Sequence, residues 1–336
     1  MKDEYITLAH GSGGRLTGEL IRRVFTSRFA MTEPLTDSAL LENPGYRLAF
    51  TSDSYVVEPL FFPGGNIGKL AVCGTVNDLS VSGAIPVCLS ASFIIEEGFQ
   101  VGLLDEIAQS MAEEAMLAGV KIVTGDTKVV GRGKCDRVFI TTSGIGYLRH
   151  GFESLSGARN VRAGNVLIIN GSLGNHSIAV MGARKNLNFE TPVESDVASL
   201  NHMIGNVLEK CRGITFMRDI TRGGFATVVN ELCSITGKGA EVDEDDVPVD
   251  EPVRGVCEML GFDPLYLANE GKVLIVAEKS EAAKILDILK ADPLGKNSAM
   301  VGRIADDKRK LVILRSITGG RRILDMRSGM QLPRIC

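Results

Sequence analysis

Hydrophobic and polar positions along this chain follow two spacings, and the switches between them mark out strands and helices. RLAFTSD at 47–53 is an apolar strand after a turn at Asn43-Pro44-Gly45. Over 68–83, Leu70, Val72, Val76 and Leu79 offer a helical face on a stretch that also carries Asn77 and Asp78, which that face does not explain. Val101–Ala118 is a clearer amphipathic helix; residues 120–124 then predict a strand ending at Gly125-Asp126, and 138–146 another. VLIIN at 166–170 opens a second series. There Val197, Leu200, Ile204 and Leu208 predict one helix, 223–235 a second and 282–289 a third, with strands at 272–277 and 311–314. The acidic run EVDEDD at 241–246 reads as a solvated turn before Pro248.

Strands and helices alternate in both halves, so the class is α/β or α+β. With 336 residues, 44% of them hydrophobic, there is enough apolar material for two domains. The boundaries expected are a glycine-rich segment over 1–35, a first domain over 36–156, a second over 157–325 and a tail over 326–336. A formal net charge of -4 provides no basic footprint for nucleic acid, which leaves small molecules or proteins as partners. The first residues, MKDEYITLAHGSGG, do not resemble a secretory leader, and the apolar runs are too short to cross a membrane, so a cytoplasmic protein is expected. Seven cysteines, an odd number with no CxxC pair, fit reduced thiols; Cys73, Cys88, Cys211, Cys233 and Cys257 lie in apolar segments as small buried hydrophobes. Four scattered histidines have no zinc spacing.

Chemistry concentrates in acids beside small residues at predicted element ends: Asp37, Asp53 in TSDS, Asp78 in VNDLS, Asp126 in GDTK and Asp219 in RDITRGG. Magnesium bridges such carboxylates to substrate phosphates, although each acid alone serves equally well as a cap or turn residue. Gly11, Gly13 and Gly14 of HGSGG, and Arg222-Gly223-Gly224 after Thr221, offer backbone N–H groups and a cation to phosphate, yet neither familiar nucleotide motif is present. Lys128 shares a face with Asp126 if that piece is extended. Glu270 precedes a strand, from which a carboxylate could face a crevice; His10 and His176 are proton carriers by residue type only. The last eleven residues, MRSGMQLPRIC, lack periodicity and form an extended arm ending in Cys336, or else a frayed terminus. A thiol beside its own terminal carboxylate needs a positive or hydrogen-bonding environment to react.

HGSGG at 10–14, the run from Thr51 to Pro86, GDTKVV at 125–130, RDITRGG at 218–224, ANEGK at 268–272 and terminal PRIC together resemble the HypE family of hydrogenase maturation factors. More broadly, the chain is similar to the aminoimidazole ribonucleotide synthetase superfamily, which includes selenophosphate synthetase and thiamine-monophosphate kinase. That resemblance implies a PurM-like two-domain fold, a homodimer pairing through N-terminal sheets, and ATP bound with Mg²⁺ near the dimer interface. It implies metal-site roles for Asp37, Asp53, Asp78 and Asp126, and nucleotide contacts from His10, Gly11, Gly13, Gly14, Asn77, Asp219, Thr221 and Arg222. It further implies that Lys128 and Glu270 meet Cys336, which a HypF-like carbamoyltransferase loads with a carbamoyl group. ATP-dependent dehydration would turn that group into a thiocyanate, whose cyano group passes to iron on a HypC–HypD-like scaffold. The competing readings are a small-metabolite kinase or synthetase of the same superfamily and a non-enzymatic maturation scaffold.

Overall fold

The computed structural model describes residues 5–7, 20–29, 47–184, 192–316 and 318–326. The first half contains β1 (Leu48–Tyr55), β2 (Phe61–Phe62), β3 (Gly65–Asn66), α1 (Ile67–Val81), β4 (Ala84–Glu96), α2 (Val101–Ala118), β5 (Lys121–Val130) and β6 (Val138–Leu148). Four strands form a sheet in the order β1-β6-β4-β5, parallel only between β4 and β5, where α2 makes the crossover. Helix α1 starts where the Asn66 side chain accepts from the N–H groups of Gly68 (2.8 Å) and Lys69 (3.1 Å). It is buried on nearly every side, because the sheet, α2 and the second domain all pack on it.

The second half contains β7 (Val166–Ile169), α3 (Asn175–Gly182), α4 (Asn201–Lys210), β8 (Ile214–Asp219), α5 (Gly224–Thr236), β9 (Gly239–Asp243), α6 (Glu251–Leu260), β10 (Val273–Ala277), α7 (Lys279–Lys290), β11 (Ala299–Ala305), β12 (Val312–Arg315) and β13 (Arg321–Ile323). Its sheet runs β13-β12-β9-β11-β7-β10-β8. Phe225, Val229 and Leu232 of α5 pack on one face, and Ile204, Leu208 of α4 with Ile285, Leu289 of α7 on the other. Covered on both sides, β10 is a continuous apolar run with every residue buried.

Three local expectations change. The apolar repeat starting at Val197 is not helical until Asn201; residues 192–200 have no regular secondary structure, and Val197 is buried because this strap lies across the first domain, Ser195 N–H donating to Pro63 C=O at 2.8 Å. The strand expected to stop at Gly125 continues to Val130, since parallel pairing with β4 runs as far as Glu96↔Val130. The acidic run is not one solvated turn: Glu241 and Asp243 lie in β9, paired with Arg303 (2.7 Å) and Arg315 (2.7 Å). Cys73, Cys88, Cys211, Cys233 and Cys257 are buried, and burial pushes the Cys233 thiol up to about 12. Among the described residues, no helix is long and apolar enough to cross a membrane.

Among the described residues, only one face of the first sheet is covered. Alternation along the strands points Tyr55, Ala91, Phe93, Ile122 and Ile140 toward α1 and α2, and leaves Leu48, Phe50, Ile85 and Ile94 exposed on the outer face.

Candidate active site

The junction between the domains gathers acids from both. Asp53 lies on the inner side of β1, and the hydroxyl of Thr51, two residues before it on the same face, donates to Asp78 Oδ2 at 2.8 Å. Asp78 projects from α1, and Asp219 ends β8, which packs against that helix. Asp53, Asp78 and Asp219, with Thr221 and Arg222, line a cavity of about 470 Å³. Burial, and then the charge of Asp78, push Asp219 up to about 7. Asp78 is also raised, by burial and by Asp53, against the hydrogen bond from Thr51.

Such mutual repulsion is what a bound cation would relieve. Among the described residues no three ligating side chains converge into a complete metal cage. A pair of carboxylates facing a roomy cavity instead fits Mg²⁺, which keeps waters and takes substrate phosphate oxygens as its remaining ligands. Next to Arg222 on the cavity wall, Gly223 (φ +78°) and Gly224 (φ +63°), the latter the first residue of α5, adopt left-handed backbone. A Cβ on Gly224 would approach the carbonyl oxygens of Leu265 and Leu267 to 2.7 Å, so glycine alone lets the start of α5 sit against that turn. The exposed Arg222 and the first N–H groups of α5 together suit a phosphate.

Glu270 is not on the cavity wall but within electrostatic reach of two acids that are. It is 4% exposed, and its Oε1 is buried without a hydrogen-bond partner. Burial first, then the charges of Asp196, Asp219 and Asp53, push its carboxyl well above the ordinary range, with Arg222 opposing. An unpaired buried carboxyl is costly, and such groups cluster where chemistry occurs.

Residues 35–148 match the model of the AIR synthase related protein N-terminal domain, and 162–315 that of the corresponding C-terminal domain. Carbamoyl dehydratase HypE of Rhodobacter capsulatus is 51% identical over 341 residues, covering 100% of this chain and 99% of that protein. The crystal structure of hydrogenase maturation protein HypE in complex with ATP superposes with a TM-score of 0.93 at 43% identity, over 98% of this chain and 99% of the other. The chain belongs to the HypE family of carbamoyl dehydratases. HypE from a solved HypE–HypF complex matches at a TM-score of 0.80 and 47% identity, over 94% of this chain and all of that one.

Against the sites that the HypE resemblance implied, the structure brings together Asp53, Asp78, Asp219, Thr221 and Arg222, with Glu270 behind them. Two of the implied site residues lie away from this cavity within the chain. Asp126 does not join Asp53 and Asp78 in its own chain. The register Asp53↔Thr142, Thr142↔Ala91, Ala91↔Gly125 puts Asp53 and Asp126 on opposite edges of the sheet, about 14 Å apart, and on opposite faces. There Asp126 pairs with Lys128 at 2.8 Å, on the outer face, and Lys128 holds its carboxyl below the usual range. Lys128, two residues on in the same strand, shares that outer face. Asn77 does not face the cavity: its Nδ2 donates to Ala198 C=O (3.0 Å) and Glu270 C=O (3.3 Å), and its Oδ1 accepts Leu200 N–H (2.8 Å). It straps the domains together with its hydrogen-bonding capacity spent on backbone. His176 is fully buried beside Ser195 (2.8 Å) and Phe62, away from solvent. His10, Gly11, Gly13, Gly14, Asp37 and Cys336 lie outside the described residues. Sequence reasoning missed Thr51, although it stands in TSDS beside Asp53, and Glu231, which pairs with Arg218 (2.8 Å) on the cavity wall and carries no motif at all.

Proposed function

We propose that this chain dehydrates an S-carbamoyl group to a thiocyanate at the expense of ATP, with Cys336 supplying the sulfur. The observation that carries the reading is the meeting of Asp53, Asp78 and Asp219 from two domains on one cavity, with the unpaired carboxyl of Glu270 behind them. Removing water from a carbamoyl group demands that oxygen become a leaving group and that nitrogen lose both protons. The carbamoyl oxygen attacks the γ-phosphorus of ATP, the bond from that phosphorus to ADP breaks, and one nitrogen proton departs. The carbon–oxygen bond then breaks, phosphate leaves with the second proton, and a carbon–nitrogen triple bond remains on sulfur.

Arg222 and the N-terminal turn of α5 hold phosphate oxygens, while Asp53 and Asp78 would hold Mg²⁺, which neutralises charge on the triphosphate when bound. Glu270 in its ionised form takes the nitrogen proton; its burial makes it a stronger base than an exposed carboxylate. The outer face of the first sheet suits a second copy of the chain. Pairing there covers Leu48, Phe50, Ile85 and Ile94 and presents Asp126 and Lys128 to the partner's cavity, where Lys128 meets developing phosphoryl charge. A HypF-like carbamoyltransferase loads Cys336, and a HypC–HypD-like scaffold takes the cyano group onto its iron.

Reach supports delivery by the chain's own tail. Leu324 C=O accepts from Asn230 (2.8 Å) and Asp325 C=O from the Tyr266 hydroxyl (2.7 Å), four residues before Glu270. Residues 327–336 span up to about 33 Å if extended, and the four residues from Tyr266 to Glu270 no more than about 14 Å. The test is intact-protein mass after incubation with a HypF-like partner, carbamoyl phosphate and ATP. A carbamoyl adduct on the C-terminal peptide that then loses one water is expected; an unlabelled peptide with a demonstrably active partner would refute the reading.

A further inference from the structure

The peptide of Glu270 is held more completely than the mechanism requires, and by residues from three separate segments. Asp196 accepts Glu270 N–H at its Oδ1 (3.2 Å) and Gly271 N–H at its Oδ2 (3.2 Å), and the same Oδ2 pairs with Lys272 Nζ at 2.9 Å. On the other side Asn77 donates to Glu270 C=O (3.3 Å), and Asn170 to Gly271 C=O (3.0 Å). Both N–H groups and both carbonyls of this dipeptide are thus satisfied, while the Glu270 side chain retains an unpaired oxygen. Asp196 packs so closely on this turn that a Cβ on Gly271 would collide with its carbonyl oxygen.

Asp196 is itself registered to the first domain. The strap carrying it is tied by Ser195 N–H to Pro63 C=O (2.8 Å) and by Ser199 N–H to Glu114 Oε1 (3.1 Å), while Val197 joins the first domain's core. Asn77, the other hand on Glu270, is the residue next to Asp78 in α1. Glu270 belongs to the second domain by sequence, yet its backbone is located from the first, the domain that holds Asp53 and Asp78.

Resting on the dehydratase reading, we propose that Asp196, paired with Lys272, is a positioning residue that fixes Glu270 relative to the carbamoyl group and the acids of the first domain. A buried ion pair is a poor source of stability compared with apolar packing, so its value here lies in directionality: an ionised carboxylate accepts two consecutive N–H groups more strongly than a neutral group would. Burial alone would raise Asp196, but the ammonium of Lys272, the nearby His176 and the hydrogen bonds from Lys272 and Glu270 N–H hold it below the ordinary range, as this role requires.

The test uses full-length protein pre-loaded with carbamoyl and followed through one turnover with Mg·ATP. Asp196→Asn keeps the shape but loses the charge and one acceptor. The expected result is a slowing of thiocyanate formation by about 10- to 100-fold, the scale of a displaced reacting group, with ATP affinity within about twofold of wild type. Faster hydrogen exchange at the Glu270 and Gly271 amides should accompany it. Combined with Glu270→Gln, Asp196→Asn should slow the reaction no further, because it acts only through that side chain. If the single variant does not fold, Asp196→Asn/Lys272→Gln removes both charges, avoids a stranded ammonium and answers the same question. An unchanged rate, additive losses in the double variant, or a parallel fall in ATP affinity would overturn the positioning role. Wild-type protein that carries carbamoyl and binds ATP yet forms no thiocyanate would overturn the dehydratase reading instead, and the amide exchange would still report whether Asp196 holds the turn.

Discussion

Asn77→Ala separates a domain strap from a nucleotide contact. In the wild-type protein the amide serves Leu200 N–H at 2.8 Å, Ala198 C=O at 3.0 Å and Glu270 C=O at 3.3 Å, and the residue is 2% exposed. Alanine strands three backbone groups. An unsatisfied buried group costs about 1–3 kcal/mol; the 3.3 Å bond contributes least, and water entering the vacated space recovers part, leaving about 3–5 kcal/mol. At about 2–4 °C per kcal/mol for a domain of this size, the melting temperature falls by about 6–20 °C. Asn77→Asp retains the acceptor for Leu200 N–H but turns a charge toward two carbonyls, and should be destabilised at least as much. Calorimetric unfolding of nucleotide-free protein, with ATP titration at a temperature where each variant is folded, checks both. A nucleotide contact would reverse the pattern: melting unchanged and ATP affinity lower by about tenfold, the loss of one charge-assisted bond. That outcome would refute the strap.

Further outcomes follow from the same geometry. Glu270→Gln should raise thermal stability while slowing the chemical step to a small residual rate, and the gain should grow with pH. The folded protein holds this carboxyl well above its unfolded value, so between the two values the native state binds the extra proton and wild-type stability falls as pH rises; glutamine removes that loss, and melting curves at pH 5 and pH 8 measure it. Gly224→Ala, at φ +63° and within 2.7 Å of two carbonyl oxygens, should lower stability by about 1–3 kcal/mol and weaken ATP binding as the start of α5 shifts; equal urea midpoints for variant and wild type would contradict this. Phe50→Glu on the exposed sheet face should yield a monomer by light scattering and lose dehydration with its own fold intact. Inactive Lys128→Ala and Glu270→Gln proteins, mixed and allowed to exchange subunits, should regain about a quarter of wild-type sites if each site takes Lys128 from one subunit and Glu270 from the other. No recovery would place both residues in one chain's site.

Much of the fold is written in local patterns. The amphipathic spacing of Val101–Ala118 and the continuous apolar run of β10 follow from which faces are covered, and both are visible without coordinates. Asp53, Asp78 and Asp219 could be singled out in sequence as acids beside small residues at element ends, but each alone serves as well as a cap or turn; their meeting on one cavity is what the structure adds. The strap over 192–200 was not legible: Val197 and Leu200 have helical spacing, but Val197 is buried by lying across the other domain, a demand that periodicity within the segment cannot express.

What sequence alone determined, then, is the identity of the chemical groups and the family they belong to, since residue types in order are sufficient for both. Tertiary structure decided which groups lie together. Asp126 and Asp53 look equivalent in sequence, yet strand register and the two-residue alternation of side chains send them to opposite faces of one sheet. Asn77 and Asp78 are neighbours in sequence, yet the turn of α1 aims one at backbone and the other at the cavity. Asp196, in no motif, becomes the anchor of Glu270 because two segments 74 residues apart are folded into hydrogen-bonding distance. Proximity in space is set by packing across domains, and no local signal in the chain encodes it.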